Sequence, residues 1–157
     1  MVNLPCANLQ LDELWAFVGK KQRHVKPTDD DSEVGDTWTW LAIDRETKLV
    51  PSFLVGKRTE ADARTFLADL SRRLASRVQL STDGLRTYID AIAESFGAGN
   101  VDYAQCIKSY EAEAIGPGRY SPPAVSTVEK NPIFGEPLEE MVTTSHAERF
   151  NLSLRMM

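Results

Sequence analysis

LQLDELWAFVGKK, residues 9–21, carries apolar side chains at both parities, the pattern of a strand covered on two faces. Asp12 and Glu13 stand in the middle of that run. An unpaired charge inside such a strand costs several kcal/mol, so the position needs a partner or a cation. Working outward, TWTWLAID (37–44) and KLVPSFLVG (48–56) read as two further strands, joined by the short polar connector DRET (44–47). Three antiparallel strands therefore open the chain.

Thr59 then caps a helix, with Asp62 at its third position and Ala63, Phe66, Leu67, Leu70 and Leu74 on one stripe. RVQLSTDG (77–84) is a short apolar strand ending in polar residues. A second helix carries Leu85, Tyr88, Ile89, Ile92 and Phe96 in register and closes at Gly97. DYAQCIKSY (102–110) alternates as another strand. Residues 114–137 are rich in proline and read as an irregular insertion, of the length that is usually functional or mobile. A last helix starts at Ser145. The predicted fold is α/β, a mixed sheet in the order β-β-β-α-β-α-β-α with helices on both faces.

At 157 residues, 42% hydrophobic and 26% charged, the chain suits one globular domain, residues 1–157. No apolar run reaches the ~20 residues of a membrane span, and residues 1–10 lack a secretory pattern, so a cytoplasmic protein is expected. Cys6 and Cys106 lack metal-ligand spacing and read as unpaired thiols. A net charge of −5 argues against nucleic-acid binding through an overall basic surface. The distribution is uneven: GKKQRHVK (19–26) is basic, and TDDDSEVGD (28–36) is acidic and reads as a solvated loop. There is no GxGxxG, P-loop or GxSxG pattern.

Three acids stand out by position: Asp12 in the first strand, Asp83 at the carboxyl end of the fourth, and Glu148 in the last helix. The carboxyl ends of strands in open α/β sheets are where ligands bind. If the first and fourth strands are neighbours, Asp12 and Asp83 meet, and a divalent cation makes both ionised forms tolerable. Each acid also has a structural reading. Glu13 is the alternative to Asp12, Asp83 suits a helix N-cap, and Glu148 completes an S-x-x-E capping box with Ser145. His146, beside Glu148, is a candidate for touching a bound phosphate.

LDELWAFVGKK, VGDTWTWLAIDRETKLV, SFLVGKRT, VQLSTDGLRTYIDAI, GPGRYSPP and TSHAERFNLSLRM together resemble the catalytic domain of bacterial insertion-sequence-one type transposases, collinearly over about residues 9–157. The resemblance implies a ribonuclease-H-like fold and a DDE triad on Asp12, Asp83 and Glu148. It further implies Mg²⁺ (or Mn²⁺) held by that triad, nicking at the element ends and strand transfer into target DNA, with a nucleoid-associated, cytoplasmic location. DNA is the implied partner, and a homo-oligomer is compatible with that role. Lys20, Lys21, Lys57, Arg58 and Arg155 are the candidate phosphate contacts. Relative to the resemblance, the chain lacks an N-terminal zinc and helix-turn-helix region and a basic extension of the last helix, so a core truncated at both ends is expected. HAERFN also lacks the tyrosine expected at His146. The alternatives are a catalytically inactive remnant acting as a dimerising or regulatory module, and a small nuclease that hydrolyses without strand joining.

Overall fold

The computed structural model describes residues 1–30, 33–111 and 124–156. Strands β1 (Asn8–Val18), β2 (Gly35–Asp44) and β3 (Ser52–Gly56) are followed by helix α1 (Glu60–Arg73), β4 (Gln79–Thr82), α2 (Thr87–Phe96), β5 (Asp102–Glu111), β6 (Ala124–Phe134) and α3 (Ser145–Arg155). The strands form one mixed six-stranded sheet in the order β3-β2-β1-β4-β5-β6. β1 pairs antiparallel with β2 from Leu9↔Asp44 to Val18↔Gly35, and parallel with β4 at Asn8↔Gln79 to Gln10↔Ser81. The parallel pairing brings Asp83, just past β4, to the middle of β1.

The two parities of β1 separate onto two layers, as the period of two requires. Leu9 and Leu11 join Trp40, Ala42, Leu80 and Tyr103 beneath α1 and α2, which contribute Phe66, Leu67, Leu70, Tyr88 and Ile92. On the opposite face Leu41 and Ile43 pack against Ala147 and Phe150 of α3. Helices thus cover both faces, as the sequence indicates. Each large apolar side chain buried in the main core contributes roughly 1.5–3 kcal/mol. At the start of α1 the Thr59 hydroxyl accepts a hydrogen bond from Asp62 N at 3.2 Å, and the cap is worth about 1 kcal/mol. Gly97, at φ 77°, closes α2 in a conformation that disfavours a side chain.

One element departs from the sequence reading. The expected irregular insertion at 114–137 contains β6, an eleven-residue strand paired antiparallel with β5. Its valines, threonine, isoleucine and phenylalanine favour an extended chain, and as a sheet edge it tolerates proline. Pro132 sits where the register shifts between Tyr103 and Ala104, so its missing N–H falls at an irregularity in the ladder. The rest of that expected insertion, 114–123, lies outside the described residues.

In the acidic run 28–36, of which residues 31–32 lie outside the described residues, Thr28, Asp30 and Glu33 are exposed, while two acids bond to the basic stretch. Asp29 accepts from Lys20 Nζ at 2.8 Å, and Asp36 accepts from Gln22 N at 2.9 Å. Both cysteines are buried and free. Among the described residues no helix is long and apolar enough to cross a membrane.

Candidate metal centre

Asp12 and Glu13 are successive strand residues and leave β1 on opposite faces. Asp12 turns toward α3, where Asn151 Nδ2 donates to its Oδ2 at 2.7 Å and Glu13 N donates to its Oδ1 at 2.9 Å. Glu13 turns toward α2, with its side chain only 2% exposed, and accepts from Arg58 at 3.2 Å. Asp83 reaches both from the end of β4. One carboxylate oxygen from each of Asp12, Glu13 and Asp83 lies within 4.8 Å of the others. Glu13, the alternative to Asp12 in the sequence, joins Asp12 instead of replacing it.

Glu148 lines the same open cleft of about 320 Å³, with Asp12, Asp83, Gly84, Ile107 and Lys108. Its carboxylate is held apart from the other three acids. Lys108 Nζ donates to its two oxygens at 2.6 and 2.7 Å, and the Thr144 hydroxyl donates at 2.6 Å.

The structural readings of two acids do not hold locally. The α3 N-cap is Thr144 with no side-chain cap bond, and Glu148 bonds the Thr144 hydroxyl and Lys108, so the expected Ser145 capping box is not formed. Asp83 accepts from Leu85 N at 2.9 Å in the turn ahead of α2, whose N-cap is Arg86. Neither carboxylate terminates its helix.

The electrostatics follow from burial of several acids together. Burial drives the Asp12 carboxyl up to about 6, against the Glu13 N–H and Asn151 hydrogen bonds, and the charges of Asp83 and Glu148 add to the rise. Burial also drives Glu13 up to about 7; Tyr88 and Arg58 oppose this, while Asp83 and Asp12 reinforce it. Glu13 Oε1 and Tyr88 Oη are both buried without completing a hydrogen bond, yet Tyr88 is the stronger of the two groups that lower Glu13, ahead of Arg58. Burial pushes Glu148 upward too, but its bonds to Lys108 and Thr144 more than offset this and leave it below the ordinary range.

This donor set fits a hard divalent cation. It is all oxygen, it is open to solvent on one side, and it includes a buried Glu13 oxygen with no partner.

The candidate phosphate contacts fall into two places. Lys20, Lys21, Lys57 and Arg58 gather where β1 and β3 end and β2 begins. Lys21 Nζ lies 5.4 Å from the Trp15 ring centroid and Arg58 lies 4.9 Å from that of Trp38, while Lys57 Nζ donates to Asp36 O at 2.9 Å. Arg155 stands exposed in the last turn of α3. Trp40 is a core residue, packed edge-on against Tyr88 at 5.7 Å.

No protein-family model matches the chain, and neither does any curated protein.

Proposed function

We propose that the protein is the catalytic core of a metal-dependent DNA-processing enzyme, a transposase of ribonuclease-H-like fold that nicks and transfers strands. One observation carries this reading: the convergence of Asp12, Glu13 and Asp83 oxygens within 4.8 Å at the edge of an open cleft. The β-β-β-α-β-α run and the parallel seating of β4 beside β1 support it, because that topology is what unites residues so far apart in sequence.

In this reading Asp12, Glu13 and Asp83 hold Mg²⁺ or Mn²⁺, and Glu148 completes the set once freed from Lys108. Bound there, the ion would polarise a phosphodiester and lower the pKa of a water or 3′-hydroxyl nucleophile. Asn151 fixes the orientation of Asp12, and Arg58 keeps Glu13 partly ionised for the metal. The open side of the cleft leaves room for a strand to enter. DNA is then the partner, and joining two ends would suit a homo-oligomer.

The Lys108–Glu148 pair favours a second reading. An ammonium bonded to both oxygens of that carboxylate is also what a catalytically silent regulatory remnant would tolerate.

Incubating the protein with end-bearing DNA and Mg²⁺ separates the two. Cleavage and strand joining by the parent, abolished by Asp83→Asn with no loss of thermal stability in EDTA, is the expected result. Equal cleavage by parent and variant removes Asp83 from the chemistry. No cleavage and no metal-dependent stabilisation by the parent favours the silent remnant.

A further inference from the structure

A second feature of the molecule is electropositive, which is notable in a chain of net charge −5. On the side of α3 away from the acidic cleft lies an open cavity of about 390 Å³, with Ile43 and Phe150 beside Lys48, His146, Arg149 and Ser153. Arg45 adjoins it, and its charge, with those of Lys48 and Arg149, is felt at His146. Among the described residues no carboxylate forms an ion pair with any of these four basic side chains. Lys48 Nζ donates to the Arg45 carbonyl oxygen, and Arg45 donates to the Glu140 carbonyl oxygen at 3.4 Å and to the Met141 sulfur, so neutral atoms take the place of counter-ions. Like charges gathered without an ion-paired acid repel one another, and a polyanion relieves that repulsion.

The backbone supplies an independent observation. Lys48 sits in the β2–β3 turn at φ 63°, a left-handed conformation that disfavours most side chains and favours Gly or Asn. The turn is firmly built, with Asp44 Oδ2 accepting from Thr47 N at 2.9 Å and from the Thr47 hydroxyl at 2.7 Å, and Lys48 N donating to Asp44 O at 3.0 Å. A lysine at such a backbone position is the kind of outlier from which function is inferred.

Placement relates the cavity to the acidic cleft. Glu148 and Arg149 are neighbours on α3, yet one lines the acidic cleft and the other lines the cationic cavity. The cavity and the cleft lie on opposite sides of α3, whose diameter with side chains is ~10–12 Å, a distance that one nucleic-acid strand covers in a few nucleotides.

We propose that Lys48, His146 and Arg149, with Arg45 beside them, form a phosphate-binding subsite for the DNA strand that flanks the scissile bond, seated a few nucleotides away across α3. The inference rests on the DNA-processing reading and adds a site that none of Lys20, Lys21, Lys57, Arg58 or Arg155 belongs to.

The test measures anisotropy of a labelled duplex between about 50 and 200 mM salt in EDTA. Lys48→Asn keeps a residue that tolerates the left-handed turn, and combined with Arg149→Ala it should weaken binding at least tenfold and flatten the log–log salt slope by about two. A control pair, Arg64→Ala with Arg72→Ala on α1, removes the same charge elsewhere and should leave the slope unchanged. Unchanged binding by the first pair, or equal loss from both pairs, overturns the proposal. If the double variant fails to fold, Arg149→Ala alone should flatten the slope by about one, and an unchanged slope overturns the proposal equally.

Inorganic phosphate that perturbs the His146 ring resonances, with no change in DNA affinity on substitution, would make this a small-anion site and overturn it too. The two readings fail separately. Loss of salt-sensitive binding in the pocket variant without Mg²⁺-dependent cleavage by the parent keeps the subsite and removes the enzyme. Cleavage by the parent with normal binding by the pocket variant does the reverse.

Discussion

Asp12→Asn should stabilise the metal-free protein at pH 8. The carboxyl titrates at about 6 in the folded chain and near 3.9 in an unfolded one, so the fold binds that proton more tightly. For a raised folded pKa the sign is definite: stability from the bound proton is full below pH ~4 and is lost as pH rises through about 6. The gap corresponds to about 2–3 kcal/mol at pH 8. Asparagine removes the charge while keeping the shape. Its Oδ1 can still accept from Glu13 N, and a flip of the Asn151 amide lets Asn151 Oδ1 accept from the new side-chain amide in place of the present Nδ2 donation. For a domain of this size each kcal/mol moves the thermal midpoint by roughly 2–4 °C, so the variant should melt about 4–12 °C higher in EDTA at pH 8. Near pH 4 the two proteins should melt together, because the parent is then protonated. Saturating Mg²⁺ at about a hundred times its Kd adds ~2.7 kcal/mol to the parent and little to the variant, and the difference should shrink or invert. A variant that melts at or below the parent at pH 8 in EDTA, or equally far above it at pH 4, would refute the account of Asp12.

Arg58→Ala removes the charged partner of a Glu13 side chain that is 2% exposed, and should cost about 1–3 kcal/mol at pH 8 by urea denaturation. Near pH 5 the loss should largely vanish, because Glu13, titrating at about 7, is already neutral there. Lys108→Ala frees the Glu148 carboxylate from its ammonium, so half-saturation by Mg²⁺, followed by thermal shift, should move to lower concentration. An unchanged or weaker metal response would mean that Glu148 stays outside the metal's reach.

The elements were readable in the sequence because each obeyed a local rule: Thr59 and Gly97 mark helix ends, and two parities of apolar residues mark β1. β6 was not, because proline is usually a breaker, and only the partner strand and the register shift at Pro132 make it compatible with pairing. In the site, Asp12 and Asp83 were legible from their places at a strand middle and a strand end. The choice between Asp12 and Glu13 was not legible, since a strand buried on both faces gives no preferred parity, and here both faces contribute. The Lys108–Glu148 pair and the cavity beside Lys48 depend on contacts between β5 or the β2–β3 turn and α3. No local pattern encodes those contacts.

Charge balance around the cleft leads to one more measurement. Four carboxylates, Asp12, Glu13, Asp83 and Glu148, face two cations, Arg58 and Lys108, one on each side of the sheet. Fully ionised, the group has a formal charge of −4 + 2 = −2, the complement of a single divalent ion. Without the ion, protons supply part of that balance, because Asp12 and Glu13 titrate at about 6 and about 7. A metal bound there would therefore compete with protons for the same oxygens, and its binding would release protons. Near pH 7 roughly half a proton should leave for each ion bound, mostly from Glu13, with more released at pH 6 and almost none at pH 8.5. Calorimetric titrations of Mg²⁺ in buffers of different ionisation enthalpy give that number directly, and the apparent affinity should fall steadily as the pH is lowered from 8 to 6. An affinity independent of pH across that interval would show that the ion does not draw on Asp12 and Glu13, and would separate this acidic cluster from any metal-dependent activity of the protein.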